Sequence, residues 1–258
     1  MYRPLARLLV ALVALGGASS AQAGARRSLS VAAAANLEPA IATLRAEFAR
    51  AHPDADVAVT LGASGTFFAQ IRSGAPFDLF LSADRDYPRK VVQAGLAARG
   101  GEVVYAVGRL AIWVPKGSPV ALETKGVAAL AGPDVKRLAI ANPAVAPWGR
   151  AAEAALRSAG LLAPLKDRLV FGQSVAQAAQ FPSTGAADAA LVPLSVTFAP
   201  ALVGGRVFEV PQALYPRQEQ SAVLLAGPGD AGLTRAFLAL LTGAEGRAIL
   251  ARYGYALP

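Results

Sequence analysis

Strand-like apolar runs alternate with helix-spaced segments along most of the chain, and this alternation restricts the fold more than any other feature. SLSVAAAA (28–35) precedes NLEPAIATLRAEFARAH (36–52), where Leu37, Ile41, Leu44 and Phe48 recur at helical spacing. DVAVTLG (56–62) leads into TFFAQIRSG (66–74), and DLFLSA (78–83) into DYPRKVVQAG (86–95). Repeated β-α units build a parallel sheet covered by helices, so the expected class is α/β.

The run EVVYAVGRLAIWVP (102–115) is too long for one average strand and carries Gly108 in its middle. It reads as two strand pieces, with the chain passing from one lobe to another near Gly108. The grammar then restarts with RLAIAN (137–142), WGRAAEAALRSAG (148–160), RLVFG (168–172), SVAQAAQFPSTG (174–185) and DAALVPLS (188–195). GRVFEVP (205–211) is expected to carry the chain back, and QSAVLLAG (220–227) to add a first-lobe strand. An amphipathic segment over 232–254, broken near Gly243, is expected to cover the first lobe. The architecture expected is two doubly wound lobes, with lobe I from 24–108 plus 209–258 and lobe II from 109–208; one continuous sheet is the alternative.

Arg3 and Arg7, the apolar LLVALVAL and the small-residue end SAQA read as a secretory signal (1–23), cut after about Ala23. The sequence has no cysteine, so an exported form relies on its core and not on disulfides. A bacterial periplasm suits these features. Removing the two signal arginines from a net charge of +8 leaves about +6. The basic residues are scattered, without the basic stripe and interleaved aromatics that nucleic-acid binding requires.

Most chemistry-bearing patterns fail on inspection. Gly62-Ala63-Ser64-Gly65-Thr66 misplaces the second glycine of a nucleophile elbow. The one histidine, His52, falls in a helix end and turn, AHPDAD, so a serine hydrolase built on Ser64 lacks a base. One histidine and no cysteine exclude the usual zinc spacings. Asp84 and Asp86 in SADRDY lack the rest of a calcium loop and read as caps for the helix at 86–95. GASGTF lacks both the lysine of a P-loop and the spacing of a dinucleotide fingerprint.

Helix starts remain. Ala35-Asn36, Ser64-Gly65-Thr66, Pro147-Trp148-Gly149 and Gln173-Ser174-Val175 place small or neutral polar residues at strand-to-helix junctions. In an α/β lobe these junctions lie at the carboxyl edge of the sheet, where ligands bind. Each helix start offers unpaired N–H groups and about half a positive charge. Two junctions per lobe, facing across a cleft, would form a cage of donors for an anion. Ser, Thr and Asn are also ordinary caps, so the joint pattern carries the reading and no single junction does.

VAAAANLEPAI, LGASGTFFAQI, GAPFDLFLSAD, IANPAVAPWGRAAEAAL, VAQAAQF and RYGYALP occur in order, and the chain resembles the ModA family of periplasmic molybdate-binding proteins. That resemblance implies a type II periplasmic binding protein, not an enzyme. It would bind molybdate or tungstate, need no cofactor, act as a monomer and deliver its ligand to an inner-membrane ABC permease. It maps ligand positions to Asn36 and Ser64, by side chain and backbone, and to Trp148 and Val175, by backbone N–H. Ala35, Gly65 and Pro193 are further candidates. Several members carry a tyrosine where this chain has Pro193, which has neither a hydroxyl nor an N–H. Trp148 is bulkier than the residue of some members and is expected as a lid over the cleft. A receptor for sulfate or phosphate is the alternative binder.

Overall fold

The computed structural model describes residues 27–227 and 229–258. The signal expected for 1–23 lies outside these residues. Ten strands form two five-stranded sheets among the described residues. The first has the order β2-β1-β3-β10-β4, where β1 is Arg27–Ala34, β2 Ala55–Gly62, β3 Leu79–Leu81, β4 Ala97–Gly108 and β10 Gln218–Leu225. The second has the order β7-β6-β8-β5-β9, where β5 is Leu110–Val114, β6 Leu138–Ala141, β7 Leu169–Gly172, β8 Ala189–Pro193 and β9 Arg206–Glu209.

Each sheet joins a parallel trio to an antiparallel pair. β2, β1 and β3 run parallel, and β10 is antiparallel to β3 and β4. β7, β6 and β8 run parallel, and β5 is antiparallel to β8 and β9. The chain changes sheet at Arg109, between β4 and β5. GRVFEVP does not carry the chain back: Arg206–Glu209 is an edge strand of the second sheet, paired with β5. Glu209 therefore closes the second sheet, and the return crossing follows it, before β10. β9 pairs along β5 with Val207 opposite Trp113 and Phe208 opposite Ile112.

The helices follow from the apolar spacing. α1 (Glu38–Ala51) has Pro39 in its first turn and buries Ile41, Leu44 and Phe48; a 3-10 turn over Ala35–Leu37 precedes it. α2 (Ser64–Arg72) buries Phe67 and Ile71, and α3 (Asp86–Gln93) buries Tyr87 and Val91. A short α4 (Leu122–Lys125) follows β5. In the second lobe, α5 (Pro147–Ser158) starts at a proline, α6 (Leu162–Leu165) is one turn, and α7 (Val175–Ser183) is capped by Ser174. α8 (Ala231–Thr242) and α9 (Ala244–Arg252) meet at Gly243 and pack with α1 on the first sheet through Phe237, Leu241 and Ile249.

The two lobes are in contact. The core of the second reaches through Ala146 and Trp148 to Ala34, Ala35, Ala63 and Ala83 of the first. At the crossing, Val107 exchanges both backbone hydrogen bonds with Ala256, each 2.8 Å. Gly108 leaves no room for a side chain, because a Cβ there would overlap the Trp148 ring and the Gln220 amide.

Candidate anion-binding site

Four helix starts meet at one small cavity between the lobes. The first lobe contributes Ala34, Ala35, Asn36, Gly62, Ala63, Ser64 and Ala83, and the second Ala146, Pro147, Trp148 and Val175. The cavity is small, with a volume of about 10 Å³. An organic ligand needs roughly 300–1,000 Å³. Among the described residues, no ionisable side chain lines it.

The donors come from helix geometry. The first N–H groups of a helix have no carbonyl one turn earlier to bond. Pro147 has no N–H, so Trp148 supplies the first donor of α5. In α7 the Ser174 hydroxyl accepts from Gln177 N at 3.3 Å, leaving Val175 and Ala176 as its first donors. Ser64 opens α2, and its Oγ accepts from Ala83 N at 3.0 Å. That bond fixes the oxygen and leaves the hydroxyl proton to be donated.

Asn36 stands in a buried polar network. Its Nδ2 donates to Gln220 Oε1 at 2.9 Å and to the Tyr255 hydroxyl at 2.8 Å. Its carbonyl accepts from the Tyr255 hydroxyl at 2.7 Å and from Ser195 Oγ, across the lobes, at 2.9 Å. The Tyr105 hydroxyl lies 3.0 Å from both Ser82 O and Gln220 Oε1. Burial raises both tyrosines well above the usual phenol range, so they stay neutral donors. The side-chain N–H groups expected to serve a ligand are thus turned toward Gln220 and Tyr255. Tyr255 falls in RYGYALP, while Tyr105, Gln220 and Ser195 fall in segments that the sequence marks only as strands, with no local signal for a polar role.

Three expectations change. Gly65 does not line the cavity: its N–H donates to Val145 O at 2.9 Å and stitches the lobes together. A Cβ at Gly65 would lie 2.5 Å from the Tyr87 hydroxyl and 2.8 Å from Val145 O, so glycine is required for that approach. Pro193 does not line it either; it is the buried end of β8, paired with Leu110 and held away from the cavity by that register. Trp148 is no lid, because its ring is 2% exposed and wedged against Gly108 at the crossing. His52 ends α1, stacked on Phe48 with ring centroids 4.4 Å apart, far from any role as a base for Ser64.

Beside the cavity lies a groove of the opposite character, lined by Asp84, Arg85, Asp86, Arg89, Arg150, Arg217 and Glu219. Asp84 Oδ2 pairs with Arg150 Nη2 across the lobes at 2.7 Å, while its Oδ1 accepts from Ser82 Oγ at 3.0 Å and Tyr87 N at 3.2 Å. Asp84 therefore caps α3 as the sequence suggested, and also joins the lobes, which it did not suggest. Burial raises the Asp84 carboxyl, against the pull of Tyr87 N–H, Ser82 and Arg150. The Arg150 guanidinium also lies 5.5 Å over the Tyr87 ring. Within the first lobe, Arg85 and Arg89 bond Glu102 at 2.7 and 2.9 Å. Burial alone would raise Glu102, but bonds from Arg85, Arg89 and Ser221 outweigh it and hold the carboxyl below its usual range.

Residues 29–256 match the family described as bacterial extracellular solute-binding protein. The chain is 37% identical to the molybdate-binding protein ModA of Azotobacter vinelandii over 254 residues, 98% of each chain. It belongs to the ModA family. ModA of Rhodobacter capsulatus is 38% identical over 199 residues, 77% of each chain. The solved periplasmic molybdate-binding protein of Azotobacter vinelandii superposes with a TM-score of 0.82 at 34% identity, covering 89% of this chain and 99% of that one. The two lobes are those of a type II periplasmic binding protein. The ModA fold does not by itself choose the anion. The sulfate-binding protein SubI of Mycobacterium tuberculosis H37Rv shares it at a TM-score of 0.72 and 16% identity, over 89% of this chain and 86% of that one.

Proposed function

We propose that this chain captures molybdate or tungstate in the periplasm, without chemistry or cofactor, and presents it to an inner-membrane ABC permease. The observation that carries this reading is the small, charge-free cavity where helix starts from both lobes converge. Asn36, Ser64, Trp148 and Val175 hold the oxyanion, with Ala35 alongside. The protein is exported after cleavage near Ala23 and works as a monomer.

Neutral donors suffice for a dianion. Hydrogen bonds to a charged acceptor are roughly twice as strong as neutral ones, and several of them replace the hydration shell. A buried countercharge would add its own desolvation cost. Size sets the choice: sulfate has shorter bonds than molybdate and would leave donors stretched, whereas molybdate and tungstate are nearly equal in size. Relatives named for molybdate, alike over almost the whole chain, support the same ligand here.

The test is a thermal-shift panel on the mature protein. A ligand that binds only the folded state stabilises it by about 2.7 kcal/mol at a hundredfold excess over Kd. Molybdate and tungstate are expected to raise the Tm clearly, and sulfate and phosphate hardly at all. A larger rise with sulfate or phosphate would reassign the ligand; no rise with any oxyanion would sink the reading.

A further inference from the structure

The buried network at Asn36 is unevenly satisfied. Three side-chain atoms have no partner among the described residues at the cavity and crossing: Asn36 Oδ1, Gln220 Nε2 and Trp148 Nε1. Asn36 Nδ2 has both protons engaged, on Gln220 and Tyr255. Asn36 is fully buried and lines the cavity, and the end of its amide not held by those partners is Oδ1, an acceptor. An acceptor facing an oxyanion repels it. The Tyr105 hydroxyl meanwhile has one proton and two acceptors, Ser82 O and Gln220 Oε1.

We propose that Gln220 is a positioning residue for the ligand: the Asn36–Gln220 amide pair turns over together, presenting Asn36 Nδ2 to the oxyanion. This rests on the proposed function and deepens it. The contacts between side chains can exchange donor and acceptor and are kept in the turned-over pair; the one hydrogen bond given up is that from the Tyr255 hydroxyl to the Asn36 carbonyl. Gln220 Nε2 then donates to Asn36 Oδ1 and to the Tyr105 hydroxyl, whose proton goes undivided to Ser82 O. Tyr255 turns its proton to Asn36 Oδ1, and the Asn36 carbonyl keeps the Ser195 hydroxyl at 2.9 Å. Gln220 Oε1 takes the place of Nε2, next to Gly108 and the ring of Trp148, whose N–H has no partner. One rearrangement thus gives Asn36 Oδ1 and Gln220 Nε2 partners, gives up the Tyr255 bond to the Asn36 carbonyl, and turns a repulsive group into a donor. Gln220 acts because its amide can either accept from Asn36 or donate to it.

The experiment measures molybdate binding by calorimetry from pH 5 to 8 in the wild type, Gln220→Met and Gln220→Glu, with Tm as a folding check. Gln220→Met is expected to lose tenfold or more in affinity at every pH. Gln220→Glu is expected to lose more at pH 8, where the introduced carboxylate can only accept, and to recover as it protonates at lower pH. The other titratable groups on the network are Tyr105 and Tyr255, both neutral throughout, and Asp84, which reaches it through Ser82 and is present in every variant. Gln220→Met binding within twofold of wild type overturns the proposal, as does a Gln220→Glu profile parallel to wild type. If a variant does not fold, NMR of the labelled wild type with sodium molybdate decides. Gln220 amide protons close to the Tyr105 ring support the turned-over pair, and Asn36 amide protons close to the Tyr255 ring overturn it. Failure of the wild type itself to bind any oxyanion would instead sink the proposed function.

Discussion

The cavity and the groove next to it share the interface between the lobes, yet they are built from opposite materials. Asn36, Ser64, Trp148 and Val175 surround the cavity without a charge, while Asp84 and Arg150 close the groove with a 2.7 Å ion pair. Ala83 and Asp84 are neighbours in sequence and fall on either side of the division. Charge is kept out of the cavity and used to hold the lobes. A carboxylate turned into the cavity would repel an anion, whereas the same carboxylate one residue outside it grips the opposite lobe.

The largest effect is expected from breaking that division. Ser64→Asp puts a negative charge against the oxyanion, a repulsion on the order of several kcal/mol. Molybdate affinity by calorimetry should fall about a thousandfold or more. Ser64→Ala, which removes one charged hydrogen bond, should cost about 10- to 100-fold. Near-equal losses from the two would show that charge exclusion is not what the cavity provides. Next comes the groove. Arg150→Ala frees the lobes at the Asp84 contact, and Arg150 is 41% exposed, so the screened pair is worth about 1 kcal/mol at most. Affinity should fall up to about fivefold, with a more open ligand-free scattering profile; an unchanged profile would remove the latch role from this pair.

The smallest effect is a control away from the cleft. Arg27 Nε lies 2.6 Å from Asp230 Oδ2, which is held down at about 2, chiefly by that hydrogen bond. A depressed acid contributes stability above its unfolded value of 3.8, and loses it as pH falls toward 2. Asp230→Asn keeps the cap on Leu233 N and removes only the charge. It should lower the Tm slightly at pH 7, with the gap closing near pH 2, and leave molybdate affinity unchanged. A change in affinity would mean that ion pairs outside the groove also set closure.

The division was half legible in the sequence. The cavity side is written locally: each donor belongs to a strand end and the helix after it, so Asn36, Ser64, Trp148 and Val175 could be read from four short junctions. The groove side and the network behind Asn36 are not. Asp84 and Arg150 lie 66 residues apart, and Asn36 and Tyr255 lie 219 apart. Nothing in SADRDY or PWGRAA announces its counterpart, because sheet order alone brings the two together. The same limit explains GRVFEVP. An apolar pair bounded by Gly205 and Pro211 marks a strand, but not which sheet has an open edge for it. Trp148 was expected over the cleft from its size; the bare backbone of Gly108, far off in the chain, gives its ring a place inside.

The contact of Tyr255 with Asn36 ties the cavity to a residue that lies 219 positions along the chain. Asn36 enters from the first turn of the fold and Tyr255 from beyond α9, with β10 inserted between β3 and β4 in the interval. A nascent chain stalled before Tyr255, or one trimmed behind α9, can carry all four cavity residues and still leave Asn36 without its orienting hydroxyl. Molybdate would then distinguish molecules that keep Tyr255 from those that lack it, and retention on an immobilised oxyanion would sort an expressed population by that contact rather than by amount.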